Sequence, residues 1–170
     1  MRPTPPLTRS DAWIVAALCE TGRDRPMRLR DLIYQADWLN RSILSFDELS
    51  FGLPRLEAAG LVDVTQGIDG PLVRATSEGR TLRGQVRAET LGGVLAGMAA
   101  AVGAPAYPEP ETEDRSLGRL PRFSEAQWRA EVAGYRRAFR ADAGQVVAAG
   151  AMAIGGAIGG LLYWWRRRRG

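Results

Sequence analysis

The sequence predicts a mainly α-helical protein with one small β-hairpin, followed by a linker, a further helix and a C-terminal apolar helix. Three observations lead to this fold class. Apolar residues recur at three- and four-residue spacing over residues 8–59, as on one face of a helix. Between residues 61 and 75 two short apolar runs flank a glycine-rich turn, as in a hairpin. Finally, residues 144–165 contain no charged residue.

Three helices are predicted in the first 60 residues. Thr8 and Asp11 form a T-x-x-D capping pattern at the start of the first helix. Apolar residues between positions 29 and 36 predict a short second helix. Ser45 and Glu48 form a second capping box, which predicts that the third helix begins directly after Ser45.

The hairpin and a fourth helix follow. Residues 61–64 and 72–75 are predicted as its two strands, joined by the turn Gly-Ile-Asp-Gly-Pro at 67–71. Thr76 is a capping residue, and the apolar spacing after it predicts one long helix that continues to residue 102.

The order of three helices, hairpin and helix resembles the winged helix-turn-helix superfamily, as in MarR-like and PadR-like regulators. The run LSFGLPRLEAAGLVDV resembles a recognition helix entering the wing, and RATSEGRTL resembles the segment that leaves it. The resemblance covers about residues 8–85. It implies a fold, whereas function has to be argued from the site itself.

A recognition helix would present its N-terminal side chains to a partner. Basic residues would be needed there for DNA, but this helix begins with two carboxylates. Residues 1–103 hold 12 Arg and 12 acidic residues, so this part has no net charge. We therefore expect recognition of a protein, or self-association as a homodimer. The predicted recognition surface comprises Asp47, Glu48, Ser50, Phe51, Pro54 and Arg55.

DNA binding by a transcriptional regulator is the alternative, because a basic cluster precedes the second helix. Trp38 either extends the apolar part of the recognition surface or belongs to the core. The basic cluster comprises Arg23, Arg25, Arg28 and Arg30.

No residue pattern predicts an enzyme, a cofactor or a metal. The chain has no His, which removes the commonest general base and metal ligand. Its single Cys19 excludes an intrachain disulfide and a thiolate cluster. Asp63 and Asp69 flank the hairpin turn without the oxygen-rich loop of a calcium site.

Residues 8–102 are thus predicted as one domain. Residues 103–122 carry four prolines and an acidic cluster, which is typical of an extended linker. Residues 123–143 are predicted as an amphipathic helix that begins after Ser124. Its aromatic stripe is expected to pack on the domain or on a partner, and consists of Trp128, Val132, Tyr135 and Phe139.

Residues 144–165 form an apolar run of 22 residues, and about 20 suffice to cross a bilayer. We expect a transmembrane helix, with membrane lipid as a partner. Because six of the 22 residues are glycine, an interfacial or protein-buried helix is one alternative, and a disordered tail is another. Small residues four apart, Ala151, Gly155 and Gly159, would allow helices to associate in lipid.

The end of the apolar run predicts a membrane interface and a cell-membrane location. The N-terminus lacks a cleavable signal peptide, so the first domain is expected on the cytoplasmic face. The basic tail at residues 166–170, with its four arginines, favours the cytoplasm as well, and a single-pass helix cannot place both ends there. The predicted interface residues are Tyr163, Trp164, Trp165, Arg166, Arg167, Arg168 and Arg169.

Overall fold

A computed structural model describes residues 6–20, 25–104 and 122–140 of the chain. These residues divide between two compact units, the first ending at Val132 and the second beginning at Ala133. In chain order the elements are α1 (Arg9–Glu20), β1 (Met27–Arg28), α2 (Leu29–Asn40), α3 (Phe46–Ala58), β2 (Val62–Gly67), β3 (Gly70–Ala75), α4 (Ser77–Gln85), α5 (Leu91–Ala101) and α6 (125–140).

The core of the first unit lies where α1, α2 and α3 meet and is closed by β3 and α5. The indole Nε1 of Trp13 donates to the Ala36 carbonyl at 2.9 Å, which ties α1 to α2 without leaving a buried polar group unpaired. Fully buried apolar side chains come from several elements and include Ile14, Leu32, Ile33, Leu49, Leu53, Leu56, Val73 and Met98.

The predicted capping boxes are confirmed. The Ser45 Oγ accepts from the Glu48 amide at 3.2 Å, and the Glu48 Oε2 accepts from the Ser45 amide at 2.7 Å. The Thr8 Oγ1 accepts from the Asp11 amide at 3.2 Å, and the Asp11 Oδ2 accepts from the Thr8 amide at 2.8 Å. Each box satisfies two backbone N–H groups that a helix start leaves unpaired, so α1 and α3 begin at defined residues.

The sheet differs from the predicted hairpin because it has three antiparallel strands in the order β1-β3-β2. Strands β2 and β3 lie within the predicted range 61–75, and Val64 pairs with Val73. Met27 of β1 pairs with the other side of Val73. The sequence did not predict β1, since two residues are too few to show an alternating pattern.

The predicted long helix after Thr76 is wrong, because the chain forms two helices there. The Thr76 cap itself is confirmed, since its Oγ1 accepts from the Gly79 amide at 3.1 Å. α4 ends where Val86 adopts an extended conformation, and Thr90 caps α5 by accepting from the Gly93 amide at 3.1 Å. Apolar spacing alone did not reveal this second cap.

The predicted fold class is also corrected in its membrane part. Among the described residues, no helix combines the length and the apolar character that crossing a bilayer requires. The predicted helix over 144–165 lies outside the described residues. So do its predicted association and interface positions, namely Ala151, Gly155, Gly159, Tyr163, Trp164, Trp165, Arg166, Arg167, Arg168 and Arg169.

A buried ion pair joins the start of α1 to α3. The Arg55 Nε donates to Asp11 Oδ2 at 2.9 Å and its Nη2 donates to Oδ1 at 3.0 Å. The Asp11 side chain is fully buried and that of Arg55 is 10% exposed. Because the Thr8 amide also donates to Asp11, the carboxylate is both a helix cap and the counterion of Arg55.

Gly52 makes room for this pair. A Cβ on Gly52 would lie 2.8 Å from Asp11 Oδ1 and 2.8 Å from the Ile14 Cδ1, closer than van der Waals contact allows. α3 can therefore approach α1 closely enough for a two-point contact between the guanidinium and the carboxylate.

We expect Asp11→Asn to destabilise the fold by about 3–5 kcal/mol, because it leaves the Arg55 charge buried without a counterion. Urea unfolding followed by circular dichroism measures the change. The matched control is Glu20→Gln, which breaks the more exposed Arg83–Glu20 pair at 2.7 Å and should cost about 1 kcal/mol or less. Equal losses in the two variants would contradict a special role for the buried pair.

Candidate functional site

The predicted recognition surface is only partly exposed. Ser50 is 4% exposed and Arg55 is 8% exposed, and Pro54 is buried as well. Glu48 and Phe51 are half-buried, and Asp47 is exposed. Helical spacing identified the face of α3 opposite its leucines, but it could not reveal which neighbours cover the two sides of that face.

One side of α3 is turned toward α1. Arg55 pairs with Asp11 there, and the Glu48 Oε1 accepts from the Ser10 Oγ at 2.8 Å. Arg55 is the only basic residue of α3, so α3 presents no cation to solvent. On α3 the side chains of Asp47 and Ala58 are exposed, and those of Phe46, Glu48, Phe51 and Glu57 are half-buried.

The other side of α3 is covered by residues 122–132, which we call the docked segment. Phe123 meets Phe46 edge to face, with ring centroids 5.8 Å apart and planes at 89°. The Trp128 Nε1 donates to the Leu44 carbonyl at 3.1 Å. Phe123 and Val132 are 4% and 6% exposed, so they are the apolar anchors of the segment.

Ion pairs flank these anchors. The Arg122 Nη2 lies 3.1 Å from Glu57 Oε2 on α3, and the Arg30 Nε lies 2.8 Å from Glu131 Oε2. All four side chains retain some exposure, so the pairs orient the docked segment more than they hold it.

The aromatic stripe predicted for this helix divides between the two units. Trp128 and Val132 belong to the first unit, where the prediction that the stripe packs on the domain is confirmed for Trp128. In the second unit the Tyr135 and Phe139 ring centroids lie 6.2 Å apart. Tyr135 is buried and Phe139 is 58% exposed.

The basic cluster before α2 is partly neutralised. The Arg28 Nη2 lies 3.2 Å from Asp69 Oδ2 at the hairpin turn, and Arg30 pairs with Glu131. Arg25 is exposed, whereas Arg23 lies outside the described residues. Arg28 and Arg30 line a cavity of about 770 Å³ between the start of α2, the hairpin turn and the docked segment.

Two large apolar side chains of the first unit, Ile68 and Trp38, are exposed. Ile68, at the tip of the hairpin, is fully exposed. Trp38 is 46% exposed, so it belongs to the surface and not to the core. A fully exposed isoleucine on a turn gains nothing from folding and is therefore a candidate contact residue.

The described residues contain no group of three or more acidic or Cys side chains that could hold a metal ion. Cys19 is half-buried, and burial raises its pKa from about 9 to about 11. Its Sγ lies 3.9 Å from the Gly79 carbonyl. At neutral pH Cys19 is thus a protonated thiol, which is a weak nucleophile.

Comparisons of the chain with protein-family models, with curated proteins and with solved structures each find no match.

We expect iodoacetamide to alkylate native Cys19 at pH 8 about 100-fold more slowly than the urea-unfolded chain, because a pKa two units higher leaves about 100-fold less thiolate. Between pH 9 and 11 the native rate should keep rising while the unfolded rate levels off. Mass spectrometry of the single cysteine measures both rates. Equal rates at pH 8 would contradict the shielding of this thiol.

Proposed function

We propose that the chain is a non-enzymatic protein-binding module built on a winged helix. The order of elements from α1 to β3, with β1 pairing to the far side of the hairpin, supports the winged-helix resemblance. In that arrangement α3 is the recognition helix and the β2–β3 hairpin is the wing.

The observation that carries the proposal is the burial of Arg55 against Asp11. It withdraws the only cation of α3 from solvent. The exposed side chains of α3 are then Asp47 and Ala58, and the half-buried ones are Phe46, Glu48, Phe51 and Glu57. An acidic and apolar helix face repels phosphates, whereas it suits a protein surface with apolar and basic groups.

The wing tip supports the same kind of partner. Ile68 offers apolar area and no hydrogen-bond donor for a phosphate. The neighbouring Asp69 neutralises Arg28, so the tip carries little net positive charge. Apolar side chains at the tip are well suited to insert into a pocket on a protein partner.

A DNA-binding regulator is the alternative function, and the exposed arginines at the start of α2 favour it. Two of them, Arg28 and Arg30, are engaged with Asp69 and Glu131, so DNA would have to displace these carboxylates. That displacement reduces the gain from counterion release.

We expect the full chain to show no saturable binding to a labelled random DNA duplex below about 100 µM at 50 mM salt. Fluorescence anisotropy over a salt series measures this. The matched variant Arg25→Ser/Arg28→Ser/Arg30→Ser should behave as the wild type does. Micromolar binding that weakens steeply with salt and is lost in the triple variant would favour the regulator and contradict the proposal.

Photo-crosslinking tests the protein partner directly. Full chain with Phe51 or Ile68 replaced by p-benzoylphenylalanine, irradiated in its native cells, should form discrete protein adducts. The same replacement at Glu78, exposed on α4, is the control and should form none. Adducts that contain a second copy of this chain would identify self-association. Nucleic-acid adducts from positions 51 or 68 would contradict the proposal.

A further inference from the structure

The docked segment has the features of a ligand rather than of a core element. It contributes apolar anchors at Phe123 and Val132 and one indole hydrogen bond from Trp128 to a backbone carbonyl. An amphipathic helix that lays spaced apolar residues into a groove is a recurrent mode of peptide recognition. The groove here lies between the start of α2 and the side of α3 that carries Phe46.

The segment also specifies its own helical start. The Ser124 Oγ accepts from the Gln127 amide at 3.2 Å, and Gln127 Oε1 accepts from the Ser124 amide at 2.7 Å. This capping box uses only residues of the segment, so its helix does not depend on the groove for its first turn. A separate chain with the same residues can form the same start.

The contacts define the chemistry that the groove selects. Phe46 and the Leu44 carbonyl require an aromatic ring and an indole donor five residues later. Glu57 and Arg30 require a basic residue before the helix and an acidic one further along. The charges on the two sides of the groove are opposite, so they also fix the direction in which a helix binds.

We infer that this groove is a binding site for an amphipathic helix of a protein partner, and that the docked segment is an internal competitor for it. The partner helix carries an aromatic residue at its capped start, a tryptophan about one turn later and an acidic residue beyond it. The inference rests on the proposed function and assigns the surface that performs it.

The attachment of the segment sets how strongly it competes. The segment belongs to the same chain as the groove and follows Ala104 after 17 further residues in the sequence, and a covalent link of this length gives a local concentration of about millimolar. A partner helix with only the same contacts therefore binds poorly while the segment is docked. Partners with additional contacts, for example to the wing, displace it.

The test uses the full chain and a fluorescein-labelled peptide of residues 122–140. Phe123→Ala/Trp128→Ala removes one of the two apolar anchors together with the indole hydrogen bond, and it leaves the groove itself unchanged. We expect the peptide to bind this variant at least about tenfold more tightly than the wild type, because the competitor no longer occupies the groove. A peptide with the same two alanines should bind neither chain.

Groove specificity is tested by adding Phe46→Ala to the double variant, which should abolish peptide binding. Circular dichroism and cooperative unfolding check that each variant is folded. As a second way to release the segment, Arg122→Glu/Glu131→Arg places like charges against Glu57 and Arg30 while the apolar anchors remain. It should raise peptide affinity about threefold or more.

If neither released variant binds the peptide, or if neither folds, the segment is a fixed part of the core and the inference is wrong. This outcome leaves the crosslinks from positions 51 and 68 unaffected. Conversely, salt-sensitive DNA binding by the wild type would contradict the protein-binding function even if the labelled peptide binds the groove of the released variants.

Discussion

The contact between Asp11 and Arg55 determines how the rest of the first unit is arranged. The Asp11 carboxylate accepts from the Thr8 amide at the start of α1, and its pairing with Arg55 fixes the rotation of α3 about its axis. The close approach of the two helices requires glycine at position 52. With α3 held in this orientation, its leucines enter the core and Phe46 faces the docked segment. A buried ion pair is seldom a large net source of stability, but it penalises every arrangement in which one partner is left alone. Its contribution is to specify one packing of α3.

Local signals in the sequence located most of the elements. Ser45, Glu48 and Thr76 are capping residues whose partners lie three positions away, so their bonds follow from spacing alone. β1 and the break between α4 and α5 were missed. The pairing of β1 with β3 depends on residues more than 40 positions apart, and the Thr90 cap is hidden in an apolar run. Strand pairing and helix ends of this kind depend on tertiary contacts, which the local periodicity of apolar residues does not reveal.

The candidate site was predicted less well than the fold, because exposure depends on neighbours distant in sequence. Arg55 reads as an exposed helix residue until Asp11, 44 positions earlier, is placed beside it. Phe46 received no role from the sequence, yet it meets Phe123 across 77 positions. The aromatic stripe of α6 was the available signal that this part of the chain packs on another surface, although Phe123 lies just before the stripe. The stripe predicted that this helix packs on the domain or on a partner. The structure shows that the docked segment covers the side of α3 that carries Phe46.

Hydrogen bonds from Thr76 join the two strands at the base of the β2–β3 hairpin. Thr76 donates from its amide to the Leu61 carbonyl at 3.1 Å and from its hydroxyl to the Gly60 carbonyl at 2.7 Å. The absence of a side chain on Gly79 lets α4 rest against the same turn. The hairpin is therefore attached to the helices at its base, and Ile68 lies at its opposite end. A partner that binds Ile68 would therefore lose little affinity to the ordering of a loose loop.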